Sequence, residues 1–267
     1  MGIHSLYTAS TGMDAQLKHI DMIANNVANL ETQGFKRDRM NFADLFYRHQ
    51  AIAGGTTTGA AVSPSGINIG HGVRVVSTEK IFEPGGIVPT DNKHHMAITG
   101  GESGNLFFRI QRPNGEIAYT RAGNFTLNDQ GFLVTPAGDF LDPQIQIDPA
   151  IPEVNIRADG LVTATDGVTP DEQQLGQILL TRFINPAGLR PDGDNLFYET
   201  AASGAPQDVV PGSPGGGRIL QGHIEGSNVS AITELVNLIK GQRAYEINSN
   251  VIQTADEALQ IANNLRA

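Results

Sequence analysis

Apolar residues recur with a seven-residue period at both ends of this 267-residue chain. Near the N-terminus they are spaced alternately by three and four positions, which places them along one side of a single helix. These positions are Ile3, Leu6, Ser10, Met13, Leu17, Ile20, Ala24 and Val27. A helix with an apolar stripe needs a partner to cover it. The sequence therefore predicts an N-terminal helix that packs against the C-terminal end of the same chain and then against neighbouring subunits.

A second apolar stripe lies near the C-terminus and shifts its register once, near Arg243. The corresponding helix is expected to begin near Ser227, with Ser230 as N-cap, and to end near Leu265. The stripe consists of Ile232, Leu235, Val236, Ile239, Tyr245, Ile252, Ala255, Leu259 and Ala262. Two long helices that both require partners are typical of a polymer subunit rather than of an enzyme.

The first predicted helix runs from about Ile3 to about Leu30. We expect it to stop before Gly34, because a left-handed glycine commonly caps a helix C-terminus. Its last turns carry Asn26 and Asn29, whose amides suit either capping or hydrogen bonds between helices.

Short apolar runs and turn sequences alternate through the middle of the chain. Strand signals begin at residues 73–78 and continue to 175–183, with turns such as Pro113-Asn114-Gly115 between them. Residues from about 50 to 66 lose all periodicity and predict an extended connector. The predicted fold class is α+β: paired, coiled-coil-like terminal helices, an extended intermediate region and a central antiparallel β domain.

Charge and composition exclude several classes of function. The chain has 18 Lys and Arg against 28 Asp and Glu, so its formal charge of -10 opposes binding to nucleic acid or to anionic membranes. Without cysteine it has no disulfide and no thiolate metal site. The first twenty residues lack the apolar core of a cleaved signal peptide, and no apolar run is long enough to span a membrane.

Candidate chemical sites fail on spacing. The glycine-rich segment at 100–104 lacks the Gly-Lys-Ser/Thr of a phosphate loop and is expected to connect two strands. His94 and His95 are adjacent, so on a strand they point to opposite faces and cannot bind one metal. Asp139 and Asp148 accompany no motif for an acid pair. We predict no enzyme activity and no catalytic, cofactor-binding or metal site.

Motifs at both ends resemble a known family. Residues 25–29 and 32–37 near the N-terminus, and 225–229 and 242–249 near the C-terminus, are similar to the paired signatures of bacterial flagellar axial proteins. These are the rod, hook and hook-associated subunits. The internal residues 118–125 resemble those of distal rod subunits in particular.

The resemblance implies a division into three domains. Residues 1–33 and 228–267 would form a terminal helical domain that lines a channel. Residues 34–80 and 200–227 would form an extended intermediate domain, and residues 81–199 an outer β domain.

The resemblance also implies a function: a structural subunit of the flagellar distal rod. Such subunits polymerise helically into a rigid driveshaft that transmits motor torque to the hook and provides the export channel. The implied partners are copies of the chain itself, proximal rod and hook subunits, peptidoglycan and outer-membrane ring proteins, and the type III export apparatus. The implied location is the basal body, from periplasm to outer membrane, after export without a cleaved signal peptide.

Two alternatives remain open at this stage. The first is a proximal rod subunit, and the second is a peptidoglycan-binding or hydrolytic module. A hook subunit is disfavoured, because hook subunits usually carry further outer domains.

The expected subunit interface combines both helices with the motifs beside them. Arg243 and Glu246 either bridge to a partner helix or form a pair within their own helix. Gln242 and Asn248 are candidates for hydrogen bonds that set helix register. The predicted interface residues are Ile3, Leu6, Met13, Leu17, Ile20, Asn26, Val27, Asn29, Phe35, Ile232, Leu235, Ile239, Gln242, Arg243, Tyr245, Asn248, Ile252 and Leu259.

Overall fold

A computed structural model of the chain has a helix at each end and an antiparallel β region between them. This confirms the predicted order of elements. The structure describes residues 2–51, 56–58, 61–62, 65–101, 103–148, 153–165 and 173–264. Neither of the two helices contains a stretch that is long and apolar enough to cross a bilayer.

The chain divides into two compact units. The first consists of Met1–Val27, Asp38–Glu79 and Ala231–Ala267. The second consists of Ala28–Arg37 and Lys80–Ser230. The three-domain division expected from the sequence stays a prediction.

The first unit contains both helices and short two-stranded sheets. β1 pairs with β6, β2 with β5, and β3 with β4. Part of the expected connector, residues 52–55, 59–60 and 63–64, lies outside the described residues. The elements are α1 (Gly2–Ala28), β1 (Asp38–Asp44), β2 (Tyr47–Ala51), β3 (Thr56–Thr58), β4 (Ala61–Val62), β5 (Ile67–Gly70), β6 (Val73–Lys80) and α2 (Ala231–Asn264).

The second unit is built from short strands and two 3-10 turns, Ser103–Asn105 and Pro186–Gly188. Its strands are β7 (Ile87–Pro89), β8 (Met96–Thr99), β9 (Leu106–Gln111), β10 (Ile117–Thr120), β11 (Thr126–Leu127), β12 (Leu133–Val134), β13 (Phe140–Leu141), β14 (Glu153–Ile156), β15 (Leu161–Thr165), β16 (Gln173–Gln177), β17 (Leu180–Arg182), β18 (Arg190–Pro191), β19 (Leu196–Tyr198), β20 (Gln207–Val209), β21 (Arg218–Gln221) and β22 (His223–Glu225).

The largest sheet of the second unit is organised around β9. Its order is β11-β12-β13-β9-β10-β19-β18, and β17 joins β9 to β20. All of its registered pairs are antiparallel, and Phe108 of β9 lies opposite both Thr120 of β10 and Leu180 of β17. β9 therefore has neighbours on both sides along its length.

The sequence did not reveal β9, although it is the central strand. Leu106, Phe108 and Ile110 point into one buried cluster, whereas Phe107 points into another on the opposite face. A strand that is buried on both faces lacks the alternation of apolar and polar residues that marks a half-exposed strand. Its apolar run therefore looked like the end of the glycine-rich loop before it.

The second cluster is aromatic. Phe107 packs edge-on against Phe82, Phe183 and Phe197, with ring centroids 5.2, 5.7 and 6.1 Å apart. Tyr119 packs against Phe183 at 4.8 Å. Such edge-to-face pairs stabilise by about 0.5–1.5 kcal/mol each beyond their burial. The cluster gives the second unit a separate core on the far face of β9.

Gly34 has a different role from the one expected. α1 ends at Ala28, so Gly34 lies too far along the chain to cap it. Gly34 adopts a φ of 70°, and its N–H donates to the Glu225 carbonyl at 2.8 Å. A Cβ at this position would lie 2.6 Å from the Ala122 backbone nitrogen. Glycine is required here because two backbone segments approach closely.

Two glycines of the second unit provide a test of backbone packing. A Cβ at Gly123 would overlap the Met96 carbonyl oxygen, whereas one at Gly86 would meet nothing within 4 Å. We predict that Gly123→Ala lowers the free energy of unfolding by about 3 kcal/mol or more, because the backbone must move. Gly86→Ala should change it by no more than about 1 kcal/mol. Urea unfolding measures both, and equal effects would contradict the packing of Gly123.

Candidate assembly surfaces

A buried ion cluster lies inside the second unit. The Lys36 ammonium donates to Oε1 of Glu225 at 2.6 Å, and Nη2 of Arg121 donates to Oε2 of the same carboxylate at 2.6 Å. The backbone N–H of Gly85 donates to Oε1 at 2.9 Å. All three charged side chains are almost completely buried. Their removal from water is tolerable only because each charge is paired.

Backbone carbonyls complete the surroundings of the two cations. Lys36 also donates to the Glu83 carbonyl at 2.7 Å, and Arg121 donates to the Leu106 carbonyl at 2.5 Å. Lys36 follows Gly34 in the segment after α1, Arg121 follows β10, and Glu225 ends β22. The cluster therefore joins three segments that are distant in the sequence.

The pKa values of the cluster follow from burial and pairing. Burial and the nearby Arg121 charge lower the pKa of Lys36 to about 8, although Glu225 opposes this shift. Burial alone would raise the pKa of Glu225, but the charges of Arg121 and Lys36 outweigh it and the pKa lies below its ordinary value. The carboxylate is therefore ionised at neutral pH, and two cations share one anion.

Asn228 holds the same region together through backbone groups. Its Oδ1 accepts from the Arg37 N–H at 2.8 Å, and its Nδ2 donates to the Ile81 carbonyl at 2.7 Å. The side chain thus links the segment that precedes α2 to the segment that follows α1. Of the interface residues predicted from the sequence, Phe35 belongs to this buried region, with Lys80 Nζ 4.8 Å from its ring centroid.

In the first unit, α1 and α2 approach each other closely at two glycines. A Cβ at Gly12 would lie 2.9 Å from the Asn248 amide nitrogen, and one at Gly241 would lie 3.2 Å from Cγ1 of Ile20. Position 12 faces 248, and position 20 faces 241, so the helices run antiparallel. Small residues at these crossings let the two helices pack at short range.

The inner side of α2 keeps a regular seven-residue repeat. Seven buried or half-buried positions follow this repeat, namely Glu234, Leu238, Gly241, Tyr245, Asn248, Ile252 and Ala255, and Asn237, Ala244 and Ser249 are half-buried beside it. The apolar stripe predicted from the sequence does change sides near Arg243, because Ile232, Leu235, Val236 and Ile239 before it are exposed, whereas Tyr245, Ile252 and Ala255 after it lie on the inner side. The pattern of apolar residues missed the repeat because a glutamate, a glycine and an asparagine occupy three of its positions.

The predicted interface residues fall into three groups. Those exposed in the single subunit are Leu17, Val27, Ile232, Leu235, Ile239, Gln242, Arg243 and Leu259. Those that are half-buried are Leu6, Met13, Ile20, Asn29, Tyr245, Asn248 and Ile252. Asn26 and Phe35 are buried, and the side chain of Ile3 lies outside the described part of the structure.

Three polar residues of the predicted interface form contacts within the subunit. Asn26 is fully buried and forms two hydrogen bonds with the backbone of Asp38, of 2.9 and 3.0 Å. Oδ1 of Asn29 accepts from the Thr32 hydroxyl at 3.0 Å. Arg243 pairs with Glu246 of its own helix at 2.9 Å, and both side chains are exposed. Within one subunit this is the intrahelical pair that the spacing allowed.

The first turns of α2 present an outer apolar face. Ile232, Leu235, Val236 and Ile239 occupy the spacing i, i+3, i+4, i+7, and all four are exposed, with Ile232 exposed by 79%. A row of four large apolar side chains in water marks an interaction surface. We call these four residues the outer α2 stripe.

No candidate for chemistry emerges from the described residues. Within them, no three His, Cys, Asp or Glu side chains gather as ligands for a metal ion. His95 lies 2.9 Å from the Thr90 hydroxyl and precedes β8, and burial lowers the pKa of the neighbouring His94. Asp194 adopts a φ of 48° in a turn.

Models of flagellar families match three segments of the chain. The flagella basal body rod protein model matches residues 6–36, and the flagellar hook protein FlgE/F/G D1 domain model matches residues 103–164. The C-terminal model of the flagellar basal body rod FlgEFG proteins matches residues 220–265. Lys36, Arg121 and Glu225 come from these three segments in turn.

Full-length relatives decide the family. The flagellar basal-body rod protein FlgG of Caulobacter vibrioides is 44% identical, over 99% of this chain and 100% of its own length. FlgG of Borreliella burgdorferi is 43% identical over 99% of both chains. The chain belongs to the FlgG family of flagellar basal-body rod proteins. FlgF of C. vibrioides is less similar, at 34% identity over 95% of this chain and 94% of its own length.

Membership gives the function at its general level. The FlgG family consists of structural proteins, so this chain is a structural subunit of the basal-body rod and not an enzyme. The geometry to be explained is therefore that of assembly. It comprises the close packing of α1 against the inner side of α2, the outer α2 stripe, and the buried ion cluster that joins segments of the second unit.

The ion cluster predicts a pH-dependent loss of stability. Near pH 7, Glu225→Gln should lower the free energy of unfolding by about 3–5 kcal/mol, because two buried cations lose their counter-ion. Glu225 has a lowered pKa when folded, so its contribution is present at neutral pH and disappears as pH falls through that pKa. The difference between wild type and variant should therefore shrink in acid.

Urea unfolding at a series of pH values measures this difference. Glu246→Gln is the matched control, because its carboxylate forms an exposed pair with Arg243. Its effect should stay within about 0.5 kcal/mol. A destabilisation by Glu225→Gln that is constant with pH would show that the lost charge is not its cause.

Proposed function

We propose that this chain polymerises helically to form the distal part of the flagellar rod, a driveshaft that transmits torque to the hook and encloses the export channel. The outer α2 stripe is the observation that carries this proposal, because it is uncovered in the single subunit. Full burial of a large aliphatic side chain contributes about 1.5–3 kcal/mol. Four such side chains in one row would contribute a substantial part of a stable subunit contact.

Two exposed apolar sites on different helices support a polymer rather than a closed dimer. Leu17 and Val27 of α1 are 48% and 42% exposed and lie apart in sequence from the outer α2 stripe. When one surface of a subunit binds a different surface of the next, contacts repeat without limit and build a helical filament. A rod needs such a head-to-tail contact.

The predicted helix pairing, intermediate domain and interface residues are part of this proposal. The antiparallel approach of α1 and α2 at Gly12 and Gly241 supports coiled-coil-like pairing around a channel. The extended intermediate domain, residues 34–80 and 200–227, would lie between this helical layer and the β domain. The proposed interface is the one predicted from the sequence: Ile3, Leu6, Met13, Leu17, Ile20, Asn26, Val27, Asn29, Phe35, Ile232, Leu235, Ile239, Gln242, Arg243, Tyr245, Asn248, Ile252 and Leu259.

The proposed partners are those of a rod between motor and hook. They are further copies of this chain, proximal rod and hook subunits, ring proteins of the peptidoglycan and outer membrane, and the type III export apparatus. The proposed place is the rod from periplasm to outer membrane. The higher identity to FlgG than to FlgF of C. vibrioides supports the distal over the proximal position.

Polar substitution in the outer α2 stripe tests the polymer. We predict that Leu235→Gln combined with Ile239→Gln abolishes rod assembly and motility in cells that depend on this chain, because the contact loses its apolar area. The free energy of unfolding of the purified subunit should change by less than about 0.5 kcal/mol per site, since both residues are exposed.

Ile184→Gln is the control for exposed apolar residues outside the helices, because Ile184 is 73% exposed in the second unit. It should leave motility intact. Electron microscopy of basal bodies identifies the step that fails. Normal rods in the double variant would refute the role of the outer α2 stripe.

A further inference from the structure

Phe46 is an aromatic side chain that the subunit leaves almost entirely in water. It lies at the bend between β1 and β2 and is 92% exposed. Its neighbour Tyr47 is 52% exposed. A phenylalanine ring in this position has an unfavourable contact with water that a partner surface would remove.

The backbone around Phe46 is held in place although the ring is free of contacts that bury it. The Leu45 N–H donates to the Gly72 carbonyl at 2.9 Å, and the Phe46 carbonyl lies 2.9 Å from Nδ1 of His71. These bonds fix the direction in which the chain turns. The ring is therefore presented outward by a supported bend, at a low entropic cost for binding.

A cavity of about 400 Å³ opens in the same unit. Ala9 and Thr8 of α1, Ile69 of β5 and Val251 of α2 line it, and Gly70 contributes no side chain. Ile69 and Val251 are 42% and 39% exposed, so the apolar wall is uncovered. An apolar cavity of about 150 Å³ already holds a benzene ring. This one has room for a phenylalanine ring and part of its backbone.

The Asp44 carboxylate of the bend is opposite in charge to Arg48 at the cavity, although Arg48 and His71 also lie next to the bend itself. His4, Arg48 and His71 lie at the cavity, and none of the described residues that line it is a carboxylate. Asp44 is exposed two positions before Phe46. An aromatic side chain that enters the cavity from this bend would bring the Asp44 carboxylate towards a basic rim.

We propose that Phe46 of one copy occupies this cavity on a second copy of the chain. The subunit's own Phe46 ring does not fill it, because this ring is 92% exposed and is not among the residues that line the cavity. The contact is then head-to-tail, between two different surfaces of one chain. This inference rests on the proposed polymer and adds a specific contact, at the strands beside the helices.

Cysteine pairs test the contact directly, because the chain has no cysteine of its own. Cells would produce two singly substituted chains together, Phe46→Cys and Val251→Cys, and rods would be oxidised before extraction. Ile261→Cys replaces Val251→Cys in the control, because Ile261 lies ten positions further along α2, is 61% exposed and is outside the proposed interface. Covalent dimers on a non-reducing gel are the readout.

The pair 46/251 should yield at least about ten times more covalent dimer than 46/261, since a disulfide requires Cα atoms within about 7 Å. In the same cells, Phe46→Ala should weaken assembly by about 30-fold, the size of an aromatic hot spot. Phe46→Leu should retain most of it.

The outcomes separate this inference from the proposed function. Rods that assemble without preferential 46/251 cross-linking would refute the contact and leave the polymer standing. Normal assembly of Phe46→Ala would refute it as well. If the unsubstituted chain builds no rods, the proposed function fails and this inference fails with it.

Discussion

The carboxylate of Glu225, held between Lys36 and Arg121, is the interaction on which the second unit depends. Taking ions out of water costs several kcal/mol each, so a buried cluster persists only where each charge has an opposite charge and hydrogen bonds close to it. Glu225 accepts from both cations and from the Gly85 N–H, and each cation reaches a backbone carbonyl. The three charges come from the three segments that the flagellar family models match. The buried contact thus joins the three matched segments within the fold.

The first unit separates two tasks between the sides of its helices. The inner side of α2 carries Gly241 and Asn248 where α1 comes close, so a small and a polar residue stand at these two crossings. The large aliphatic residues of the outer α2 stripe stay in water. A chain built for assembly needs this arrangement, because apolar area spent on its own fold is lost to its neighbours. The proposed Phe46 contact is of the same kind, because an apolar side chain beside the strands is left exposed for a neighbouring subunit.

The sequence predicted the elements better than the contacts. The helices at both ends and most hairpins of the middle follow from local periodicity and turn residues. The sequence did not predict β9, because both of its faces are buried. It did not predict the repeat on the inner side of α2 either, because Glu234 and Gly241 are not large apolar residues. Asn26 was expected at a subunit interface, yet it bonds to the backbone of Asp38. A side-chain amide near a helix end fits either role, and only the fold distinguishes them.

The sequence alone determined two terminal helices, an antiparallel middle and the rod family, because these depend on spacing within short windows and on motifs. Tertiary structure alone decided which helix faces are covered and which charges meet. Glu225 lies 189 positions from Lys36 and 104 from Arg121. No local sequence pattern can predict such ion pairs, since each residue by itself resembles an ordinary charged residue on a solvated surface.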